Sequence, residues 1–228
     1  GQRNGFLTAP MMPHNLTMSF IGAGMLWVGW FGFNAGSALA ADGSAGMAMF
    51  VTHISASVGA ITWMTIEWIK YGKSSGLGAI TGMVAGLATI TPASGSVGPA
   101  GALIVGLCGG VVCYFATTYF KTKLRIDDSL DVFPVHGVGG IIGTLLAGIL
   151  VSENLGIFSG NGFAEGMTMG SQVMVQATGI VATGLYSGLV TFVLLKFVGV
   201  LTSGIRVSPE QEQVGLDITE HDEKGYSM

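Results

Sequence analysis

Charged residues are scarce in this chain of 228 residues: Asp, Glu, Lys and Arg together make up 10% of it, and only nine residues are Lys or Arg. Soluble domains carry about a quarter charged residues, so the composition excludes an ordinary soluble protein. Half of the chain is hydrophobic, the mean hydropathy is +0.63, and 38 residues are glycine without a Gly-X-Y period. Glycine at that level beside long apolar runs predicts packed transmembrane helices.

Cysteine is also rare. Cys108 and Cys113 lie five residues apart in one apolar segment, about 140° apart around a helix, so they cannot pair with each other and no disulfide framework is expected. No His stands near them, and the sequence offers no Ser/His dyad or metal-ligand cluster. We therefore expect no metal, no cofactor and no nucleic-acid partner. The chain is not expected to be an enzyme, and an intramembrane enzyme is the least favoured function.

The start of the chain lacks a cleavable signal pattern, because its first residues are polar and rich in turn formers. Its first residue is Gly rather than Met, so we expect a processed or partial chain. Residues 1–14 are predicted to be a cytoplasmic N-terminal segment, and residues 204–228 a polar, acidic cytoplasmic tail. Such a tail is usually solvated, and the alternative is a docking element that folds on a partner.

The long apolar runs predict an all-α fold, a polytopic transmembrane helix bundle between residues 15 and 203. Six segments are long or apolar enough to enter a membrane; they lie near 15–41, 46–69, 77–91, 98–120, 129–152 and 170–203. The third is short because Pro92 restricts the residue before it. We expect that helix to enter a protein-lined vestibule instead of crossing fully in lipid.

The basic residues predict the orientation of the bundle. They occur before the first segment, after the second, after the fourth and around the end of the sixth: Arg3, Lys70, Lys73, Lys121, Lys123, Arg125, Lys196, Arg206 and Lys224. The connections near 42–45, 92–97 and 153–169 hold no Lys or Arg. The positive-inside rule then places both ends of the chain in the cytoplasm, and we expect the plasma membrane, a bacterial inner membrane in particular.

Small residues recur at four-residue spacing in five of the six segments, a pattern that lets helix backbones approach closely and predicts a tight bundle. The pairs are Gly32/Gly36, Gly82/Gly86, Gly106/Gly110, Gly139/Gly143 and Gly184/Gly188.

One ionisable ring stands in the fifth segment. His136 lies about a third of the way into the stretch 127–152, and an ionisable residue inside the membrane usually faces a pathway. The plainer alternative is a His satisfied by a neighbouring carbonyl group. His53, in the second segment, lies on no such motif, and we expect it to pack against another helix.

A second polar face lies in the first segment, where four residues occupy one side of a helix at positions i, i+3, i+4 and i+7: Trp30, Phe33, Asn34 and Ser37. Phe33 lies roughly 12 Å from the outer end, and His136 at a similar depth from the inner end, so the two can meet in a hydrocarbon layer of about 30 Å. An aromatic stripe that only packs is the alternative. Polar Asn34 and Ser37 argue against lipid contact on that face.

Three motifs together resemble the ammonium transporter family (Amt/Mep/Rh): WFGFNAGSA from Trp30, TPASG from Thr91 and DDSLDVFPVHGVGG from Asp127. The likeness runs from about Pro13 to Gly215. In that family eleven helices form a protomer, with two inverted five-helix repeats, and protomers assemble as trimers with one pore each. This chain resembles the second repeat with the last helix. The resemblance therefore implies a homotrimer and a need for the helices of the first repeat.

The resemblance also implies roles for the matching residues. Phe33 resembles the inner member of a pair of gating phenylalanines, Trp30 the indole beside the pore histidines, and His136 the second histidine of a twin-His pair. Ser37 resembles the hydroxyl of the outer recruitment site, while Asn34 and Thr91 lie beside the pore. Asp128 and Asp131 are expected to be structural near the inner mouth, with Asp131 as a helix cap.

The implied function is ammonium transport: ammonium is recruited outside and deprotonated, and ammonia is conducted through a hydrophobic, His-lined pore. Two alternatives stay open. One is an ammonium sensor that signals through its tail, and the other is a neutral gas channel of the Rh type. The resemblance further implies a regulatory protein of the PII family as a possible partner at the cytoplasmic face.

Overall fold

The structure is a computed structural model that describes residues 2–9 and 11–225. It divides into two compact units, one of Met11–Ile180 and one that combines Gly1–Pro10 with Val181–Met228. Two predicted boundaries, the N-terminal segment 1–14 and the tail 204–228, include residues 1, 10 and 226–228, which lie outside the described residues. The placement of both segments in the cytoplasm stays a prediction.

The described residues form helices joined by turns and loops, and the all-α membrane fold predicted from the sequence is confirmed. The α-helices are α1 (Leu16–Gly36), α2 (Gly43–Tyr71), α3 (Gly76–Ile90), α4 (Pro99–Thr122), α5 (Val138–Leu150), α6 (Met169–Leu201), α7 (Pro209–Val214) and α8 (Leu216–His221). A π-helical turn, Phe133–Gly137, leads into α5, and a 3₁₀ turn spans Gly156–Phe158.

Five helical segments of the described chain are long and apolar enough to cross a membrane: α1, α2, α4, Phe133–Leu150 and α6. The third helix, α3, is apolar but has only 15 residues, in line with a segment that Pro92 ends early. The first predicted segment reached residue 41, whereas α1 ends at Gly36. Residues after it turn through Leu39, whose φ is +58°, before Asp42 starts the next helix.

Polar residues at the predicted breaks between segments start the helices. The side chains of Asn15, Asp42 and Ser75 accept hydrogen bonds from the first free backbone N–H groups of α1, α2 and α3, which otherwise lack partners inside the helix. Gly72 ends α2 with φ +74°, a left-handed conformation that glycine adopts without strain. These local signals fix where the spans turn.

Helix α2 packs closely against α3 and α4 because glycines remove the side chains between them. A methyl group added at Gly86 would overlap the backbone at Ser55, and one at Gly106 would lie 2.6 Å from the Ser55 carbonyl oxygen. The Ser55 hydroxyl also donates to the carbonyl of Gly86 at 2.8 Å. This contact holds α3, which is too short to cross a bilayer, inside the unit.

The predicted glycine pairs differ in what they contact. Gly82/Gly86, Gly106/Gly110 and Gly139/Gly143 all lie against neighbouring helices. A methyl group at Gly32 or Gly36 would meet no atom within 4 Å in the described chain, and the same is true at Gly184 and Gly188. Close packing at these last two pairs stays a prediction.

Gly143→Ala is expected to destabilise the protein by about 2 kcal/mol, because the added methyl group would overlap the backbone of Thr89 in α3 and an overpacked core must shift to accept it. The measurement is the temperature at which half of the protein, purified in detergent, is lost from the monodisperse peak of a size-exclusion profile. Gly140→Ala, on the same helix with no atom within 4 Å of the added methyl, is the control and is expected to keep or raise that temperature. Equal midpoints for both variants would contradict the close α3–α5 contact.

Candidate functional site

The π-helical turn Phe133–Gly137 carries His136. The N–H of Val138 donates to the carbonyl of Phe133, five residues back, so the turn is one residue wider than an α-helical turn. The Asp128 carboxylate accepts the Phe133 N–H at 2.8 Å and anchors the start of the turn. Pro134 and Val135 are buried whereas His136 is exposed, so the turn presents the imidazole on an open face of the unit.

Trp30 of α1 forms the wall beside His136. The two rings are nearly parallel, with centroids 6.2 Å apart and planes at 16°. Phe33, one helical turn further along α1, meets the edge of Trp30 with centroids 6.3 Å apart and planes at 84°. Phe33 is 62% exposed and Trp30 is half-buried. The imidazole, the indole and the phenyl ring thus form one continuous surface.

Thr91 fixes the orientation of the indole. The Trp30 Nε1–H donates to the Thr91 hydroxyl at 2.7 Å, and that hydroxyl donates to the carbonyl of Leu87 at 2.8 Å. A hydroxyl group can donate once and accept twice, so Thr91 satisfies the indole without losing its own partner. Four of the predicted site residues, from three separate motifs, therefore lie together.

Asn34 does not share the exposed face with Phe33. Its side chain is 5% exposed and its Nδ2 donates to the Thr52 hydroxyl of α2 at 3.0 Å. Thr52 in turn donates to the carbonyl of Ala48. The polar side chain thus meets another helix and not lipid, as its polarity predicted, and a role for Asn34 at the pore stays a prediction.

Ser37 lies at the C-terminal end of α1, exposed, and its hydroxyl donates to the carbonyl of Phe33 at 2.7 Å. Its oxygen keeps acceptor capacity. A role for Ser37 in recruiting ammonium stays a prediction.

The two acids before the membrane-spanning helix play different structural parts. The helix-capping contact expected of Asp131 belongs to Asp128, whose carboxylate accepts the Phe133 N–H. Asp131 adopts a left-handed backbone, φ +55°, and its carboxylate contacts Lys121 Nζ at 2.7 and 2.8 Å. Burial raises the pKa of Asp131 above its ordinary value, and the hydrogen bond and charge of Lys121 oppose that rise.

Two residues at these sites were missed from the sequence. Thr52 and Lys121 hold Asn34 and Asp131 respectively. Thr52 could have been found from the sequence, because a hydroxyl group in an apolar segment needs a hydrogen-bond partner. Lys121 could not, because its approach to Asp131, ten residues later, depends on the turn between them. His53 stacks on Trp27 with centroids 5.1 Å apart and lies 6.1 Å from Phe31, as a packing role requires.

Thr91→Val is expected to leave the indole N–H of Trp30 without an acceptor, because valine has the same shape but no hydroxyl. A buried donor left unpaired costs about 1–3 kcal/mol, so a lower thermal midpoint in detergent is expected. Trp30→Phe removes the donor from the other side. The double variant Trp30→Phe/Thr91→Val should lose less than the sum of the single losses. Strict additivity would show that the hydrogen bond contributes nothing.

The arrangement presents a chemically specific surface to a small weak base. Aromatic faces attract a cation, and a neutral imidazole both donates and accepts a hydrogen bond. The described residues contain no cluster of three or more His, Cys, Asp or Glu that could hold a metal ion.

The family model described as "Ammonium Transporter Family" matches residues 1–226. The chain belongs to the ammonium transporter family. It is 44% identical to ammonium transporter Amt1 of Archaeoglobus fulgidus over 227 residues, covering 100% of the chain and 56% of that protein. It is 46% identical to a putative ammonium transporter of Methanothermobacter thermautotrophicus over 224 residues, covering 96% of the chain and 53% of that protein.

Solved structures give the same family. The chain superimposes on a protein called "Sensor Amt Protein" with a TM-score of 0.79 and 31% identity, over 91% of this chain and 49% of the other. It superimposes on Mep2 of Saccharomyces cerevisiae with a TM-score of 0.72 and 36% identity, over 81% and 44%. The chain spans about half the length of the curated relatives it matches. This ammonium transporter family member is thus similar to one half of those proteins.

Proposed function

We propose that this chain forms half of a pore that transports ammonium across a membrane. The observation that carries the proposal is the surface on which His136 stacks against Trp30, with Phe33 at the edge of the indole and Thr91 fixing it. The names of the relatives, all called ammonium transporters, support the substrate.

Desolvation decides the mechanism we propose. Moving an ion of this size into a low-dielectric layer costs of order 20 kcal/mol by an idealised measure. Aromatic faces return about 0.5–2 kcal/mol, and a hydrogen bond to the Ser37 oxygen adds about 1.5–3 kcal/mol at most. These gains are too small to let the cation cross the hydrophobic part of the pore without its hydration shell. Ammonium is therefore recruited outside, near Ser37, and splits into ammonia and a proton. Neutral ammonia passes Phe33, and the proton crosses separately, relayed by His136, so that one net charge moves for each ammonium.

His136 is the group that meets ammonia inside the constriction. A neutral imidazole offers one N–H and one acceptor nitrogen, so it can hydrogen-bond ammonia or relay the released proton. The stacked indole of Trp30 restricts the plane of the ring, and Thr91 restricts the indole. Potassium has no proton to release, so a pore of this kind discriminates against it by its mechanism.

The opposite wall of the pore must come from other helices. His136 and Phe33 are exposed in the unit Met11–Ile180, and exposed polar groups in a bilayer would be costly without a partner. We propose that helices like the first half of the relatives cover this face, and that the complete protomers form a homotrimer. Mass spectrometry of the protein purified from its membrane, denatured and then native, identifies those helices and the number of copies.

The direct test of the proposed function is an ammonium-evoked current in liposomes that contain the purified assembly. Ammonium is expected to give a transient current that protein-free liposomes do not show, and potassium at the same concentration should give none. A current of equal size with both cations would contradict the proposed deprotonation. Ammonia flux without any current would favour a neutral gas channel.

A sensor is the second candidate, favoured by the similar structure called "Sensor Amt Protein" and by order in the tail. There α7 starts with a capping box at Ser208, and Arg206 pairs with Glu212 at 2.8 Å, which lowers the pKa of Glu212. A regulatory protein of the PII family is a proposed partner at the cytoplasmic face. Deleting the tail from Val207 would favour sensing if uptake persists and the nitrogen response is lost.

A further inference from the structure

A pocket of about 630 Å³ lies within the unit that combines Gly1–Pro10 with Val181–Met228. Residues 2–6 line one part of it, and the rest of the lining comes from the segment 206–213. Cavities of about 300–1,000 Å³ with a few convergent polar groups are typical of small-molecule sites. The pocket shares no residue with the surface that carries His136, so the proposed transport does not explain it.

The charged groups of this pocket balance each other. Two arginines and two glutamates belong to its lining: Arg3, Arg206, Glu210 and Glu212. Their formal charges cancel, and such a lining does not favour a ligand of large net charge. A ligand that carries one positive and one negative group can meet both kinds of side chain, as electrostatic complementarity requires.

The Glu212 carboxylate contains an acceptor without a donor. Its Oε2 accepts hydrogen bonds from Arg206 Nε at 3.2 Å and from Nη2 at 2.8 Å. Its Oε1 is buried, and no group of the described residues forms a hydrogen bond with it. Arg206 and, less strongly, the Asn4 N–H lower the pKa of Glu212, but the Asn4 N–H does not reach Oε1 in hydrogen-bond geometry. Because a buried charged oxygen without a donor costs free energy, a cationic donor placed there would be stabilised.

Arg206 provides donors next to this acceptor. Its Nε and Nη2 bind Glu212, and Nη2 also donates to the carbonyl oxygen of Gln2 at 2.8 Å. Nη1 makes none of these contacts, and the Arg206 side chain is 44% exposed. A guanidinium group carries five N–H donors in a fixed planar fork, so the two on Nη1 can bind an anionic group.

Uncharged residues complete the lining. Three of them have side-chain amides, Gln2, Asn4 and Gln213, and Phe6 and Val207 are apolar. An amide group both donates and accepts hydrogen bonds, and apolar residues fit the methylene groups of a short chain. The lining therefore matches a small polar molecule better than an inorganic ion.

From this geometry we propose that the pocket binds a free α-amino acid with an amide side chain. Its ammonium group lies on Glu212 Oε1 and its carboxylate on Arg206 Nη1. A cation alone would leave the guanidinium donors unused, and an anion alone would leave Oε1 without a donor. Because the pocket joins residues 2–6 to the tail, the bound amino acid holds the two segments together. The site does not rest on the proposed transport.

The test is the binding of tritiated L-glutamine to the purified assembly in detergent, measured by scintillation proximity. Saturable binding is expected, displaced by unlabelled L-glutamine but not by butylamine or butyrate at the same concentration, since each carries only one of the two charges. Absence of saturable binding would overturn the proposal. Displacement by butylamine or ammonium chloride as effective as that by L-glutamine would also overturn it, because the site would then recognise a cation alone.

Glu212→Gln keeps the shape of the side chain and removes its charge. The variant should bind L-glutamine at least about tenfold more weakly, the loss expected for one hydrogen bond to a charged group. Glu223→Gln removes an exposed acid of the tail outside the pocket and is the matched control, with the affinity of the wild type. Equal affinities in the two variants would contradict the proposed contact.

A second variant separates the pocket from the ion pair, because Glu212 also holds Arg206. Gln213→Trp, at an exposed position of α7, puts a large ring at the pocket and leaves both charges in place. It should abolish L-glutamine binding while the number of copies in the assembly and the thermal midpoint stay those of the wild type. Unchanged affinity in Gln213→Trp would overturn the proposal.

Discussion

His136→Ala is expected to lower the ammonium-evoked current by about tenfold or more, because it removes the one imidazole on the surface formed by Trp30, Phe33 and His136. A positioned group that takes part in proton transfer typically contributes about 10²–10⁴-fold, and loss of a hydrogen-bonding site for ammonia alone would be smaller. The measurement is the peak current of proteoliposomes on a solid-supported membrane after an ammonium jump, normalised to the protein incorporated.

His53→Ala is the control for this experiment. His53 is also an exposed imidazole stacked on a tryptophan, with a centroid distance to Trp27 of 5.1 Å. It contacts Trp27 and Phe31 in place of Trp30, and no transport motif includes it. The His53→Ala variant should give a current close to that of the wild type. A His136→Ala variant with unchanged current and unchanged exclusion of potassium would rule out the proposed role, and equal losses in both variants would indicate a general effect on packing.

Lys121→Met is expected to destabilise the protein by about 2 kcal/mol at neutral pH. Its ammonium group contacts both carboxylate oxygens of Asp131, and the Asp131 side chain is only 15% exposed. Removing one partner of a buried pair leaves a charge without compensation and costs about 3–5 kcal/mol. The Lys121 side chain is 31% exposed, so water supplies part of the lost interaction and the smaller value is expected.

The loss should depend on pH. Burial already raises the pKa of Asp131 above its ordinary value near 3.8, and Lys121 lowers it, so the variant's pKa should be higher still. A carboxyl group with a raised pKa contributes stability that is complete below the unfolded pKa and is lost as the pH rises through the folded pKa. The two proteins should therefore be similar in acid and diverge as the pH rises from acid to neutral.

Thermal midpoints in detergent across that pH range measure the effect. The matched control is the double variant Lys121→Met/Asp131→Asn, which carries no charge to protonate and should recover much of the stability at neutral pH. A loss in Lys121→Met that is constant from acid to neutral pH would show that the lost packing of the lysine side chain, rather than its charge, is responsible.

The sequence was informative where a single helix sets the geometry. The spacing of Trp30 and Phe33 predicted one shared helix face, and their rings do contact each other. The hydrogen bond from Trp30 to Thr91 joins residues 61 positions apart. Hydrophobic periodicity within one helix cannot predict such a contact. The motifs pointed to both residues, but only the resemblance suggested that they lie beside one pore.

Hydrophobic spacing did not resolve turns or the two sides of a shared face. Asn34 was grouped with Trp30, Phe33 and Ser37 by the spacing i, i+3, i+4 and i+7, and the packing of α1 against α2 buries its amide while the phenyl ring of Phe33 stays exposed. Asp131 was expected to cap the helix, but its positive φ directs it to Lys121, and Asp128 caps instead. Neither preference is encoded in hydrophobic spacing.

The π-helical turn at His136 has a consequence for how this span can vary. A turn closed by an i to i+5 hydrogen bond is equivalent to one residue inserted into an α-helix, so deleting Val135 would return the segment to continuous α-helical phase. The residues before the deletion would then rotate by about 100° relative to Gly139 and Gly143, which pack on α3. The insertion therefore lets one span carry two separately oriented parts, one before the turn that holds the contact of Phe133 with Asp128 and one after it that packs on α3.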